Sequence, residues 1–277
     1  MSEAPALPKY FDFLIEGFRR GELGRQVHLG HWDAAPQPDA LGAADFRRAQ
    51  ARLDAALLGM AGLADGQRVL DVGCGFGGTL QAINERHAGM RLLGVNVDAR
   101  QLEICRQLVP RGGNRLEWVL ADACRLPLAD ASVERVLCVE AMFHFSSRRA
   151  FFREAARALR PGGALVCSDI VLERSARALQ APGYALEAAL RDGYGPWPDL
   201  WGDDADHAAL AAAAGLRAVA ARDATRETLP SHRYTVPPGL DEGRDPGDPV
   251  LRAALALRRL HRDGHLRVLY LSFAKAA

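Results

Sequence analysis

The chain has 277 residues, 49% of them hydrophobic and 25% charged, which is enough to bury one sizeable core. Its 35 basic side chains against 34 acidic ones leave a net charge of +1. No basic field therefore draws it to nucleic acid or an anionic membrane. The five cysteines (Cys74, Cys105, Cys124, Cys138 and Cys167) form no C-x-x-C pair and read as reduced, buried hydrophobes rather than a disulfide framework or zinc site.

Met1 to Tyr10 shows no basic start followed by an apolar stretch, and no run reaches the ~20 apolar residues of a membrane span. The expectation is a cytoplasmic protein with no membrane partner. In chain order, Leu7, Phe11, Leu14 and Phe18 fall at helical spacing, so the first twenty residues read as an amphipathic helix. A Gly- and Pro-punctuated stretch follows, containing His28-Leu29-Gly30-His31-Trp32. Asp45 then reads as the N-cap of a helix with Phe46, Ala49, Leu53, Leu57 and Met60 on one face.

From residue 68 short apolar runs alternate with helical segments. The runs are Arg68–Val72, Arg91–Val97, Leu116–Leu120, Val133–Val139 and Ala164–Ile170, with helices predicted over Ala99–Val109 and Arg148–Leu159. This alternation predicts βαβ units and a doubly wound parallel sheet, that is, an α/β fold. Pro161-Gly162-Gly163 predicts a turn before the fifth strand. Residues 180–202 read as a loop-rich aromatic cover. A helix over 203–214, a strand near Leu216–Ala221, a helix over 248–263 and a final strand at Leu266–Phe273 complete the chain.

The strongest motif is Val69-Leu70-Asp71-Val72-Gly73-Cys74-Gly75-Phe76-Gly77-Gly78, an apolar strand running into a glycine-rich turn that opens a helix. Glycines let a ligand approach the backbone, and the helix start adds unpaired N–H groups. Alone the motif is ambiguous, because Gly73, Gly75 and Gly78 fit the dinucleotide fingerprint and Asp98 follows at the usual distance. Asp71, two residues before the first glycine, tilts it: a carboxylate there suits an ammonium and sulfonium ligand and repels a pyrophosphate.

Asp71 to Gly77 resembles the D-x-G-x-G-x-G motif of class I S-adenosylmethionine-dependent methyltransferases. The resemblance continues through Gly94-Val95-Asn96-Val97-Asp98 with Gln101, Ala121-Asp122-Ala123, Val136–Glu140 and Arg160-Pro161-Gly162-Gly163, over roughly residues 10–275. It implies a Rossmann-like, seven-stranded sheet whose last strand is antiparallel. It also implies one domain with an N-terminal helical lid (1–45), a cofactor-binding core (68–175), an inserted cap of substrate-covering segments (176–263) and the last strand (264–277).

By that resemblance S-adenosylmethionine is the cofactor and S-adenosylhomocysteine the product. Asp71, Gly73, Gly75 and Gly77 would hold the methionine part, and Asp122 with Ala123 the adenine. The acid that many relatives use on the ribose is replaced by Asn96. With Val97 and Gln101 this matches sterol, mycolic-acid and natural-product branches, leaving Asp98 as the alternative ribose acid. Glu140 would contact the cofactor, or steady positive charge as in the sterol branch.

Methyl transfer from a sulfonium needs alignment, desolvation and, for oxygen acceptors, proton removal. His144 after the fourth strand is the candidate base, with Asp169 at the end of the fifth to orient it, roles that resemble those in sugar and natural-product O-methyltransferases. Phe143, Tyr184, Tyr194, Trp197 and Trp201 are candidate walls for the acceptor, and Tyr10, His28 and Trp32 a lid over the cofactor. Asp203, Asp204, Asp206 and His207 read as ordinary helix-start chemistry, so no metal is expected. The expected reaction is methylation of a small molecule, on a hydroxyl first and on nitrogen or carbon as alternatives, by a monomer or homodimer. An NAD(P)-dependent oxidoreductase and a non-catalytic or cyclising use of the same fold remain as other readings.

Overall fold

The structure is a computed structural model and describes residues 7–33, 42–174, 176, 186–195, 197–240 and 244–277. Seven strands make one sheet: β1 (Arg68–Val72), β2 (Arg91–Asn96), β3 (Arg115–Leu120), β4 (Val133–Val139), β5 (Leu159–Leu172), β6 (Leu216–Asp223) and β7 (Leu266–Lys275). Their order is β3-β2-β1-β4-β5-β7-β6. The first five pair in parallel, and β7 runs antiparallel to both its neighbours. This is the Rossmann-like sheet with an antiparallel last strand that the motifs imply.

Strand alternation divides the core between the two faces. Val69, Leu137, Val166 and Ile170 join Leu53 and Leu57 on one side. Leu70, Val72, Val136, Cys138 and Leu165 join Phe151 and Phe152 on the other. The helices covering these faces are α1 (Tyr10–Arg19), α2 (Ala43–Ala61), α3 (Gly78–Arg86), α4 (Ala99–Cys105), α5 (Arg148–Ala158), α6 (Leu186–Tyr194), α7 (Asp204–Ala213), α8 (Thr225–Thr228), α9 (His232–Thr235) and α10 (Pro249–Arg262).

Four local expectations change. Asp45 lies inside α2 rather than at its N-cap, and its carboxylate accepts the Gly42 N–H. α4 stops at Cys105 instead of Val109. The Asn84 amide takes the Val109 carbonyl and the Arg111 N–H, which pulls the chain off the helix. β5 already pairs with β4 at Leu159, and Arg160–Gly163 forms an irregularity before pairing resumes at Ala164, with Gly162 at φ +75°. Within the aromatic cover, residues 186–194 form a helix that packs on α10.

Candidate active site

Strand order reverses between β1 and β4, and the carboxyl ends of the strands there open a crevice, the usual place for a ligand in such sheets. Gly73 and Gly75 turn the chain out of β1 with φ of +75° and +53°. A Cβ on Gly73 would sit 2.4 Å from the Ala141 Cβ after β4, so close packing as well as conformation requires glycine. The Gly73 and Cys74 N–H groups both donate to the Val95 carbonyl, tying the turn to β2.

A first cavity lies over this turn. Asp71 and the glycines line it from β1, Asn96, Val97 and Gln101 from the end of β2, Asp122 and Ala123 from the end of β3, and Glu140 from the end of β4. The Asn96 amide donates to Gln101 Oε1 at 3.1 Å, and its oxygen accepts the Asp98 N–H at 3.0 Å. Asp98 itself caps α4 and pairs with Arg100, so its carboxylate is engaged away from the cavity role considered for it. Glu140 has φ +44°, a left-handed conformation uncommon for a residue other than glycine. Its Oε2 accepts the Leu29 N–H.

Buried polar atoms without a partner mark this cavity. Asp71 Oδ1, Gln101 Nε2, Glu140 Oε1 and His144 Nδ1 are all unpaired, and every one of these residues lines it. Unpaired buried polar atoms are costly in a native fold and call for a ligand or water. Burial, reinforced by the like charge of Asp54, pushes Asp71 up to about 7, and Glu140 also shifts upward through burial. His28 is in the opposite state. Its Nδ1 meets the Leu29 carbonyl at 2.8 Å and its Nε2 approaches Asp54 at 3.4 Å. Against the pull of burial, Asp54 raises it to about 9, so the ring is a buried cation among carboxylates.

The segment after α1 closes the cavity as a strap. Arg25 donates to the carbonyls of Phe76 and Ile104, and the Gln50 amide donates to those of Gln26 and His28. Gly30 donates to Ser231, and a Cβ there would meet Ala49 Cβ at 2.5 Å. Trp32, counted in the lid by sequence, is buried and bonds Ser231, outside the walls of both cavities described here.

A second cavity of about 720 Å³ adjoins the first, and Tyr10, Gln26, His28 and Glu140 belong to both walls. Phe143, Tyr194, Phe13, Leu29, Leu257 and Leu266 make much of the rest apolar. The Tyr10 hydroxyl lies 2.6 Å from His144 Nε2. Burial pushes the imidazole down to about 3 and the phenol up, so both are neutral. In the tautomer that keeps the proton on Nδ1, the other ring nitrogen is free to accept. Nε2 then accepts from the phenol.

Several sequence expectations are corrected. Asp169 makes no hydrogen bond to His144. It is fully buried, pairs with Arg148, and takes a 2.7 Å contact from His207 Nε2. Gly77 caps α3 and faces Leu108 and Trp118, away from the cavity, while Gly78 and Thr79 line it. Trp197 is buried behind Phe143, stacked at 4.6 Å, and Trp201 bonds Glu187, so neither is among the lining residues. Tyr184 lies outside the described residues. Asp203 and Asp206 cap α7 reciprocally, as expected of a helix start. Asp54 and Arg25 went unseen. The one available signal was Asp54, a carboxylate beside Leu53 in the apolar stripe of α2.

Residues 70–167 match the methyltransferase domain family. Methyltransferase GfsG of Streptomyces halstedii is 38% identical over 168 residues, 59% of this chain and 57% of that one. The 27-O-demethylrifamycin SV methyltransferase of Amycolatopsis mediterranei is 34% identical over 161 residues, 57% of this chain and 56% of that one. The chain thus spans a little over half the length of these relatives. Mycolic acid cyclopropane synthase CmaA1, solved complexed with SAH and CTAB, shares the fold with a TM-score of 0.75 at 18% identity, over 98% of this chain and 99% of that one. Residues 70–167 thus match a methyltransferase domain, and the fold around them is that of the class I S-adenosylmethionine-dependent methyltransferases.

Proposed function

We propose that the protein transfers a methyl group from S-adenosylmethionine to a hydroxyl of a bulky, mainly apolar small molecule. The observation that carries this reading is the set of unpaired buried polar atoms in the first cavity, beside a second, larger and mostly apolar one that shares its wall. The residues fit the cofactor. Asp71 offers an unpaired carboxylate oxygen to an ammonium group, and Gln101 an unpaired amide to a ribose oxygen. Val97, 39% exposed at the end of β2, offers apolar contact to the adenine, and Asp122 a carboxylate to its amino group. A dinucleotide fits poorly, since its pyrophosphate would face Asp71 and Glu140.

When bound, S-adenosylmethionine supplies a methyl carbon already activated by its sulfonium. The chain's work is then to align the acceptor, exclude water and take a proton. Tyr10 borders both cavities and His144 only the first, so the phenol oxygen is the group that meets an acceptor hydroxyl. As that hydroxyl gives its proton to the Tyr10 oxygen, Tyr10 passes its own to His144 Nε2. Glu140, also on the shared wall, balances positive charge there.

The 27-O-demethylrifamycin SV relative carries an oxygen site in its name, and a cavity of about 720 Å³ lies within the range of sites for drug-sized ligands. No helix among the described residues is long and apolar enough to cross a membrane. We take the enzyme to be cytoplasmic, a monomer or homodimer, acting on a diffusible acceptor.

Calorimetry with S-adenosylmethionine, S-adenosylhomocysteine and NADH tests the cofactor, and mass spectrometry for acceptors heavier by one CH₂ tests the reaction. Tyr10→Phe is expected to cut turnover by about 10²–10⁴-fold with S-adenosylhomocysteine affinity retained. Binding of NADH in place of the sulfonium compound would refute the function. Full turnover in Tyr10→Phe, with loss in Glu140→Gln, would move the proton to Glu140.

A further inference from the structure

The methyl-transfer reading leaves one polar cluster of the second cavity without a task. His232 on α9 and His261 on α10 both line it and are 6% and 3% exposed. His261 Nε2 lies 2.7 Å from the Thr225 carbonyl, a group that can only accept, so this nitrogen carries a proton. Burial lowers the basicity of His261 and keeps its ring neutral, so Nδ1 is a lone pair. His232 Nε2, 2.9 Å away, must donate to it.

Burial and the neighbouring His261 push His232 down to about 3, which makes its own Nδ1 a lone pair as well. The partner of that lone pair is the Thr235 hydroxyl at 3.3 Å, long for an O–H···N bond. Thr235 lines the same cavity. Starting from one backbone carbonyl, the tautomers of both rings are set, and what the relay presents at its free end is acceptor capacity only.

We infer that His232 and Thr235 form a subsite for a second hydroxyl or N–H of the acceptor, distinct from the group that is methylated. This rests on reading the second cavity as the acceptor site. The surroundings give the contact its selectivity. Val250, Leu251, Ala254, Leu257 and Leu266 line the cavity from α10 and the start of β7. A ligand with a donor at this position completes a hydrogen bond in an apolar wall. One that lacks it leaves the His232 lone pair with only its long contact to Thr235. A purely structural role, stapling α9 to α10, would affect stability and leave ligand preference untouched.

The test uses two rigid apolar tetracycles that differ by one hydroxyl, 17β-estradiol and its 17-deoxy counterpart. Each is titrated calorimetrically into the 277-residue chain, with and without S-adenosylhomocysteine. The wild type is expected to bind the diol about five- to tenfold more tightly, the ratio one added hydrogen bond gives. His232→Phe should bring the ratio to about one. Thr235→Val, at an exposed position that tolerates substitution, should lower it with the fold intact. Equal affinity for the two probes in the wild type, binding of neither, or a ratio unchanged in both variants overturns the subsite. Failure of S-adenosylhomocysteine to bind would instead sink the methyl-transfer reading, while a diol preference measured without it would leave the subsite standing.

Discussion

At the scale of the residue, Asp71 carries a tension between folding and binding. It is 2% exposed and titrates near 7, because burial and the charge of Asp54 outweigh the pull of His28. Its affinity for a proton is therefore higher folded than unfolded, so the unliganded protein loses stability as pH rises from about 4 to 7. Above pH 7 the whole burden is present. His28 adds to the same trend in a later window. Its raised pKa gives stability that is complete below about 6.5 and lost as pH rises through about 9.

Asp71→Asn removes the first burden. In urea unfolding at pH 8 the unliganded variant should gain on the order of 2 kcal/mol and lose the slope between pH 4 and 7. It should also lose S-adenosylmethionine binding in calorimetry. A variant no more stable than its parent would show that the carboxylate is not strained by its site. Asp71, with Gly73 and Gly75, was readable in the sequence because a strand and the turn after it place these residues of the first cavity's wall within one short stretch. The Tyr10–His144 contact spans 134 positions and His28–Asp54 spans 26, so neither leaves a local signature.

At the scale of the element, the fully buried Asp169 joins three pieces of the fold. Burial alone would raise its pKa, but Arg148 and His207 outweigh it and hold the carboxylate charged. Arg148 begins α5, His207 sits in the first turn of α7, and Asp169 is in β5, so one ionic cluster sets how both helices meet the strand. The sequence showed an acid near the carboxyl end of a parallel strand, where catalytic groups collect, and could not show that an arginine and a histidine from two helices would enclose it.

Asp169→Asn leaves the Arg148 guanidinium buried without its counter-charge, a change that typically costs about 3–5 kcal/mol. The expected outcome is a drop of that order in urea unfolding, with S-adenosylhomocysteine affinity retained in whatever fraction remains folded. Unchanged stability with lost turnover would return Asp169 to the orienting role the sequence assigned it. Element positions, by contrast, were legible wherever apolar runs alternate with helical spacing. They went astray where a side chain overrides local preference, as Asn84 does at the end of α4.

At the scale of the whole molecule, the strap at residues 25–32 ties together parts of the chain that share no strand. Leu29 holds Glu140 of the β4 end, His31 donates to the Ala49 carbonyl in α2, and Trp32 donates to the Glu227 carbonyl in α8. Arg25 adds the turn after β1 and the end of α4. The same strap carries Gln26 and His28, which stand between the two cavities. A ligand that pairs Asp71, Gln101 and Glu140 therefore bears on the wall of the second cavity as well as on its own site. Hydrogen exchange should show this coupling. With S-adenosylhomocysteine added, protection is expected at the β1 turn and also across 10–19 and 25–32, while the amides of α7 and β6, remote from both cavities, exchange as before. Protection confined to 71–78 and 96–101 would mean that the strap is in place regardless of the ligand. The cofactor then could not prepare the acceptor site, and binding of the two ligands would be independent.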